Sequence, residues 1–521
     1  NYDYLDYMTP SQQVDWESEI YNLYFSGGLS FISNPITTFE SNISTGVDIS
    51  PVQYGYYQFY KGQITKAQLD ASLADYKKND FLNQFRENAV LNQQLQQYNL
   101  ALRVNNGRFQ NSFVVNYTTD NSGIINAYDK KLNLFYKGSY NVGNWLDIDY
   151  GVNSIVGKAR SHNNAFATDP FSVPSYYSLF NSDGSRASYS TIRFNIYNTI
   201  LETTPSLFSA KFNHLDELGR DFINTSIFNS RYYVNLNFKP MKGLTINPMF
   251  QYEDMRRDVS AYSEAESYTM RWLNDVYTTR TGSPGNYTYT KLLPVGGKLN
   301  TSHSRSPNYT ARVQANYNRE FGEHGFIALA GTEFRQTNIY GQNGTLLGYD
   351  DQLQTQGTNN VNYGNLFNIN RGTFWNPNYN TRTRHFAEIS NFGLIRDELH
   401  RFASGYANLT YTYQKKYNLF GSVRKDYADL FGGDEKYRGR PLWSVGASWI
   451  ASSENFLKQF NSINYLKLRA SYGLTGNIRN VTALLAATTG INNTTQLPNA
   501  TVINPPNPQL RWEKTATTNI G

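Results

Sequence analysis

The segment YYVNLNFK (Tyr232–Lys239) is followed by PMKG (240–243) and then by LTINPMFQYE (Leu244–Glu253). Apolar side chains take every second position on both sides of PMKG. This alternation predicts β-strands with one apolar and one polar face. The short Pro- and Gly-containing segment between them predicts a tight turn, so the whole stretch is a predicted hairpin. Pro248 has no N–H to give a neighbouring strand, and we interpret it as a local bulge.

The same alternation recurs along most of the chain, with roughly a dozen predicted strands. Short turns are predicted at 105–107, 142–144, 240–243, 322–325 and 414–416. Long connections are predicted at about 157–228, 256–305, 340–400 and 475–507. Short turns at one rim and long loops at the other are typical of an outer-membrane β-barrel. Loops this long without structure of their own are uncommon in a compact soluble domain.

The composition favours the same fold class. Tyr, Phe and Trp make up 15% of the chain, yet the mean hydropathy is −0.58. Many aromatic residues among small polar ones suit strands that face lipid on one side and water on the other. No run of about 18 apolar residues occurs, so no transmembrane helix is predicted. Only closed strands could then cross a membrane, because lipid offers no hydrogen-bond partner to a free backbone edge.

Several function classes are disfavoured by the sequence. The net charge is +6, and the basic residues are spread along the chain rather than concentrated, so no nucleic-acid partner is predicted. The absence of cysteine excludes disulfides and thiolate metal sites. The sequence contains no HExxH, GxSxG or P-loop motif, and its six histidines are scattered. We therefore predict a protein that is not an enzyme and has no cofactor or metal.

The N-terminal part of the chain has a different pattern. Thr9–Gln12 has the form of a capping box with proline at the first helical position, which predicts a helix. Thr65–Gln68 predicts the start of a second helix. The aromatic segment 54–60 lies between them and is interpreted as a loop. Residues 1–95 are thus predicted to be the start of the barrel region with a helical and aromatic extramembrane loop, and residues 96–521 to be barrel strands and long loops.

Several segments resemble the SusC/RagA family of TonB-dependent transporters. The most specific match is LKLRASYGLTGN (Leu466–Asn477), and NPQLRWEK (Asn507–Lys514) is nearly as good. The other similar segments are Asp6–Thr9 with Gln13–Glu17, Tyr98–Leu100 through Tyr117–Ile125, and Arg440–Trp449 with Glu454 and Phe456–Lys458. These matches are spread over the whole chain, whereas the long loops between them show no such resemblance.

The resemblance implies an all-β fold, a transmembrane antiparallel β-barrel of 22 strands with an N-terminal plug. This chain would be its middle part, and we expect the plug, the TonB box and the last strands to lie outside it. The family's function is TonB-dependent active import of an oligomeric nutrient, glycan or peptide, across the outer membrane of a Gram-negative, Bacteroides-type bacterium. The implied partners are a SusD-like surface lipoprotein, the TonB–ExbB–ExbD complex acting through the plug, outer-membrane lipid, and an oligosaccharide or oligopeptide substrate.

Aromatic residues outside the strands are the predicted substrate contacts. They are Tyr54, Tyr56, Tyr57, Phe374 and Trp375. Such side chains could stack on sugar rings or line an apolar pocket for peptide side chains. The alternative for all five is packing within their own loops or anchoring at the membrane interface. Trp443 and Trp449 lie on one face of a predicted strand and are interpreted as residues of an aromatic girdle.

The remaining polar clusters are interpreted as groups on solvent-exposed loops. The acidic groups Asp350–Asp351, and Asp429 with Asp434–Glu435, are interpreted as solvated loop carboxylates, with calcium binding as the alternative. His214 with Asp216 is interpreted as a pair on a surface loop.

Two other functions remain open at this point. A passive porin or adhesin-like barrel would share the strand pattern. A secreted all-β protein, such as a carbohydrate-binding or hydrolytic domain, would share the composition, but the regular alternation of short turns and long loops argues against it.

Overall fold

The computed structural model describes the greater part of the chain. The described residues are 7–28, 33–45, 49–121, 123–190, 196–356, 361–362, 366, 395–429, 441–458, 464–476, 485–491, 498–507 and 515–521. They form one large antiparallel sheet with a layer of helices at one of its ends. The predicted residues Phe374, Trp375, Asp434 and Glu435 lie outside the described residues.

The sheet is an up-and-down meander in which neighbouring strands run antiparallel. The described strands are β1 Gln94–Asn105, β2 Phe109–Asn121, β3 Tyr128–Gly143, β4 Leu146–His162, β5 Asp221–Met241, β6 Leu244–Ser263, β7 Thr278–Ser283, β8 Asn286–Lys291, β9 Gly297–Phe321, β10 His324–Asp350, β11 Thr355–Gln356, β12 Ile395–Tyr413, β13 Tyr417–Ala428, β14 Pro441–Ile450, β15 Lys467–Thr475, β16 Ala486–Ile491, β17 Pro498–Asn504 and β18 Thr515–Ile520. The main sheet follows chain order from β1 to β18, while β7–β8 and β16–β17 form separate hairpins.

The predicted hairpin at 232–253 is confirmed as β5 and β6. Met241 pairs with Leu244, so the loop is only Lys242–Gly243. Gly243 has φ +89°, and a Cβ there would lie 2.6 Å from the Asn318 carbonyl oxygen, so glycine is required.

The predicted bulge at Pro248 is wrong. Pro248 pairs in register with Val313 of β9, and the β5–β6 register is the same on both sides of it, at Asn235↔Met249 and Phe238↔Ile246. The register shift lies instead next to the turn, between Phe238 and Met241. A missing N–H costs one ladder bond, whereas a shift of one residue would turn every following apolar side chain to the polar face.

The predicted short turns at 105–107, 142–144, 322–325 and 414–416 are confirmed, but the long connections at 157–228, 256–305 and 340–400 were predicted too long. The connection at 475–507 contains the β16–β17 hairpin and continues to β18. β6 continues to Ser263 and β9 already begins at Gly297. The reason is that apolar alternation stops where polar residues take over both faces. Arg256 of β6 and Arg305 of β9 are paired in this region. They lie on the same face of the sheet that carries apolar residues closer to the short turns.

One face of the sheet, here called the outer face, is apolar across the strands. Its side chains form two aromatic rows. The row nearer the long connections is Tyr98, Tyr117, Tyr232, Tyr252, Tyr309 and Tyr427, and the row near the short turns is Tyr140, Phe238, Tyr317, Tyr411, Tyr417 and Trp449. The two rows are eight residues apart on β9 and ten residues apart on β13. At the usual strand rise and a strand tilt of about 40°, this corresponds to roughly 20–25 Å along the membrane normal. That distance is close to the height of the apolar band in known outer-membrane barrels.

Most side chains between the two rows are apolar and at least partly exposed, which identifies the outer face as a surface for lipid. Lys425 is a charged exception on β13, next to Tyr427, with its Nζ 4.9 Å from the centre of that ring. Val423 and Val445 are diagonal neighbours on the paired strands β13 and β14, and they are 47% and 50% exposed. An apolar surface this extensive is unusual for a soluble monomer. Trp443 and Trp449 both lie on this face, and the Trp449 ring stacks on Tyr417 near the short turns.

The opposite, inner face is polar and is connected by side-chain amides. Asn237 Nδ2 donates to Asp149 Oδ2 at 2.7 Å, Asn247 Nδ2 donates to Asn237 Oδ1 at 2.6 Å, and Asn316 Nδ2 donates to Asn247 Oδ1 at 2.6 Å. Gln314 Nε2 donates to Asn316 Oδ1 at 2.9 Å. Each amide therefore acts as both donor and acceptor across four neighbouring strands.

The helices lie mainly outside the sheet. They are α1 Pro10–Phe25, α2 Pro35–Thr45, α3 Pro51–Tyr60, α4 Lys66–Tyr76, α5 Phe81–Ala89, α6 Ala165–Thr168, α7 Ile196–Thr203, α8 His214–Arg220, α9 Tyr268–Val276 and α10 Asn455–Lys458, with 3-10 turns at Pro170–Ser172 and Ala451–Ser453. The capping boxes predicted at Thr9 and Thr65 are both present. Within the described residues, helices both long and apolar enough to span a membrane are not found.

Candidate ligand-binding rim

The helices α1 to α9 gather at the end of the sheet where the long connections lie. The chain passes from α5 into β1 at Gln94, which pairs with Asn121 next to the β2–β3 connection. The connections 163–220 and 264–296 belong to the same end. We call the described residues of 7–93, 163–220 and 264–296 the rim layer. This layer, rather than the sheet, holds most of the fully buried large side chains.

An aromatic cluster around His214 joins α5 to the connection 163–220. Phe81 and Phe85 are fully buried, and their ring centroids lie 5.0 and 5.8 Å from the His214 ring. Asn213 caps α8 and donates from Nδ2 to the carbonyl oxygens of Leu179 and Ala187 at 2.9 and 2.8 Å. The connection is therefore a packed unit with its own core.

The interpretation of His214 and Asp216 as a surface pair is wrong. His214 is fully buried, and its partners are the Tyr189 hydroxyl at Nδ1 (2.8 Å) and Ser172 Oγ at Nε2 (2.9 Å). Asp216 pairs with Arg186 instead. The helix that begins at His214 turns this residue inward, because its first turn packs against α5. Burial lowers the pKa of His214 to about 4 from its ordinary value of 6.5.

This burial predicts a pH dependence of the rim layer. Neutral His214 stabilises the folded layer fully above about pH 6.5, and this contribution, at most about 3 kcal/mol, is lost as the pH falls toward 4. Burial raises the pKa of Glu217 and of Asp275 to about 7, so these carboxyl groups favour the folded layer on acidification and oppose the histidine. We therefore expect the stability difference between wild type and His214→Gln to shrink between pH 7.5 and pH 5.

The measurement is hydrogen exchange of residues 163–220 in both proteins, corrected for the intrinsic exchange rate at each pH. A difference that stays constant between the two pH values would contradict the prediction.

Glu217 and Asp275 form a second buried polar region, on either side of Arg271. Glu217 is fully buried, accepts the Tyr268 N–H at 2.9 Å and lies 3.8 Å from the Arg271 guanidinium. Asp275 accepts the Phe208 N–H at 3.0 Å. Arg271 Nε donates to the Glu266 carbonyl oxygen at 3.1 Å. These contacts connect α8, α9 and the segment before Ala210. We therefore interpret the two buried carboxyl groups as stabilising the packing of the rim layer.

The predicted aromatic contacts in 54–60 lie on helix α3 rather than on a loop. Tyr56 and Tyr57 are buried in the core of the rim layer, and the Tyr57 hydroxyl donates to Glu40 Oε1 at 2.9 Å. Tyr54 is partly buried and lines a cavity of about 210 Å³ together with Tyr76 and Tyr177. Of these three tyrosines, Tyr54 is the one that lines a described cavity, and it stays a predicted ligand contact.

A second cavity of about 360 Å³ was not anticipated from the sequence. Its walls include Tyr7, Trp16 and Phe171, and its floor includes Glu17 and Ser50. Trp16 is 52% exposed, whereas Glu17, the next residue of α1, is 5% exposed. A glutamate among the inward-facing positions of a helix, next to Val14, was the sequence signal, because carboxylates are rarely buried without a specific partner.

The described residues contain no group of three or more His, Asp or Glu side chains placed to hold a metal ion. Asp350 ends β10, and its Oδ1 accepts the N–H groups of Gln352 and Leu353, both at 2.9 Å. Asp429 accepts the Arg401 N–H.

Comparison with known proteins gives partial but consistent matches. No protein-family model matches the sequence. The TonB-dependent receptor P26 of Formosa agariphila is 29% identical over 234 residues, which cover 44% of this chain and 21% of that receptor. The TonB-dependent receptor SusC of Bacteroides thetaiotaomicron is 32% identical over 126 residues, 23% of this chain and 12% of SusC.

A solved structure of the RagAB peptide transporter matches 98% of this chain with a TM-score of 0.62 at 16% identity. The resemblance to SusC/RagA-type TonB-dependent transporters is confirmed. The predicted fold class, an antiparallel β-barrel of such a transporter, is confirmed with it. The SusC/RagA-like chain spans about half the length of the RagAB chain, since the match covers 50% of that chain. The described sheet is open, with β1 and β18 as its end strands.

Proposed function

We propose that this SusC/RagA-like chain is part of an outer-membrane transporter that imports an oligomeric nutrient in a TonB-dependent way. The observation that carries the proposal is the two-sided sheet: an apolar outer face bounded by two aromatic rows, and a polar inner face below a packed rim layer. This arrangement suits a barrel that crosses lipid and offers polar groups to a solute inside. The relatives bear receptor and transporter names, which fits the prediction that the chain is not an enzyme.

We further propose the domain organisation and the partners that the resemblance implies. Residues 1–95 would form the start of the barrel region with its extramembrane helices, and 96–521 the strands and long loops. The plug and the closing strands would belong to the remainder of the protein. A SusD-like lipoprotein would dock on the rim layer, and TonB–ExbB–ExbD would act through the plug. The outer membrane of a Gram-negative, Bacteroides-type bacterium is the proposed location.

The substrate is proposed to be a glycan or a peptide. RagAB is a peptide importer, which supports a peptide, while the aromatic residues of the rim layer suit either class. A barrel wide enough for an oligomer has to be closed by a plug, since it would otherwise leak. The outer membrane has no ATP, so the energy for import must reach the plug from the inner membrane.

Growth of the native bacterium tests this function. Strains lacking either this gene or TonB should fail to grow on one class of oligomer, oligosaccharide or oligopeptide, as sole carbon source. Both strains should grow normally on the corresponding monomer. Growth that depends on the gene but not on TonB would favour the passive porin or adhesin-like barrel. Recovery of the native protein from the aqueous fraction without detergent would favour the secreted all-β protein.

A further inference from the structure

The cavity beside α1 combines three aromatic walls with an acidic floor. The ring centroids of Tyr7 and Phe171 lie 4.5 Å apart on one side. Trp16 presents half of its surface to solvent, and Glu17 lies at the bottom with Ser50. Aromatic faces attract cations through their ring quadrupoles, and a carboxylate adds a full negative charge at close range.

The hydrogen-bond partners of Glu17 are all neutral. Gln13 Nε2 donates to Oε1 at 3.0 Å, Ser50 Oγ donates to Oε2 at 2.5 Å, and the Tyr176 hydroxyl donates to Oε2 at 3.1 Å. A carboxylate can accept about four hydrogen bonds, so Oε1 retains capacity for a further donor. Burial raises the pKa of Glu17, which reflects the cost of holding this charge without a cation.

The charged groups that line the cavity are of one sign, negative. Among the described residues that line it, Glu17 is the only ionisable carboxyl group and there is no lysine, arginine or histidine. The nearby Lys77 is paired with Asp15 on the exposed side of α1. A buried carboxylate is normally paired, and a ligand cation entering between the aromatic walls would complete this pair.

The protein holds the carboxylate in place from two distant parts of the chain. Gln13 Oε1 accepts both the N–H and the hydroxyl of Ser175, at 3.1 and 2.6 Å. The same Gln13 donates to Glu17, and the neighbouring Tyr176 is fully buried beside it. The carboxyl group is thus held in position before any ligand arrives, which lowers the entropic cost of binding.

We propose that this cavity is a binding site for a cationic amine, an alkylammonium group carried by a larger ligand. The ammonium would donate to Glu17 Oε1, and its carbon chain would lie between Trp16 and the Tyr7–Phe171 pair. The proposal goes beyond the proposed function, because it assigns one chemical feature to a rim-layer ligand whether or not that ligand is transported.

The test uses the purified full-length protein and two probes that differ only in the terminal ammonium group of the side chain, Nα-acetyl-lysinamide and Nα-acetyl-norleucinamide. By isothermal titration at pH 7.5, the lysine derivative should bind about tenfold more tightly or better, since a buried charge pair and cation–π contacts are lost with norleucine. Glu17→Gln should remove this difference. Glu19→Gln, an exposed carboxylate on the same helix, should leave it unchanged.

A second variant guards against misfolding of Glu17→Gln. Trp16→Leu changes a half-exposed side chain, so it should weaken binding of the lysine derivative several-fold without lowering the thermal unfolding temperature. Equal affinity of the two probes for wild type, or unchanged affinity in Glu17→Gln, would overturn the proposal. Binding needs no TonB, so failure of the transport proposal would leave these results as they are, and failure here would leave the growth phenotype intact.

Discussion

Val423→Lys is expected to destabilise the membrane-embedded protein by about 2–4 kcal/mol, the cost of a lysine near the middle of the lipid-facing side of a barrel. Val423 lies between Tyr417 and Tyr427 of the two aromatic rows, and its side chain is 47% exposed on the outer face. The lysine cannot reach water at either row without leaving its strand position. The measurement is urea unfolding of the full-length protein in lipid vesicles, followed by the heat-dependent shift of the folded form on a gel.

A control at the same depth is provided by the inner face. Asn408 pairs with Ser422, one residue before Val423, and is exposed to the polar side. Asn408→Lys should change the unfolding free energy by less than about 1 kcal/mol, because its charge stays hydrated. Equal destabilisation by the two lysines would mean that the assignment of outer and inner faces is wrong.

Phe81→Ala is expected to destabilise the rim layer by about 3–5 kcal/mol, as for other large-to-small changes in a packed core. Phe81 is fully buried and contacts the rings of Phe85, Tyr189 and His214. Its loss removes contacts between α5 and the connection 163–220. Limited proteolysis should therefore cut this connection much faster, while the strands remain resistant.

Phe166→Ala is the matched control, because Phe166 is 49% exposed on α6 in the same layer. It should alter the cleavage rate little. Proteolysis that is equally slow in wild type and Phe81→Ala would show that the cluster does not hold the connection in place.

The sheet was predictable from the sequence wherever one face meets lipid. On β5 the alternation between the aromatic rows is unbroken, at Val234, Leu236 and Phe238, and the predicted turn follows it. Beyond the row nearer the long connections, the strands continue into water and both of their faces become polar. The alternation of apolar and polar residues therefore disappears there, although the backbone hydrogen bonds between the strands continue. For this physical reason the predicted strands stop near Arg256 and Arg305, whereas β6 continues to Ser263 and β9 begins at Gly297.

The helices and the candidate site were predictable only from local signals. The capping boxes at Thr9 and Thr65 predicted α1 and α4 correctly. Helix α3 was missed because tyrosine and glycine are weak helix formers, although Ser50 as N-cap with Pro51 at the first position was available as a signal. The contact of Glu17 with Tyr176 joins residues far apart in sequence, so no local pattern could reveal it.

The row of hydrogen-bonded amides on the inner face has a consequence for the proposed import, namely the resistance that a solute would meet along the wall. Asn247 is bonded to both Asn237 and Asn316, so this part of the wall presents amide dipoles of both orientations, and its charged member is Asp149 at one end. A hydroxyl or peptide group sliding past can exchange one weak bond for another without a deep electrostatic trap. Such a wall would let different polar solutes pass with similar ease and would select little among them. Discrimination between solutes would then fall to the rim layer above it.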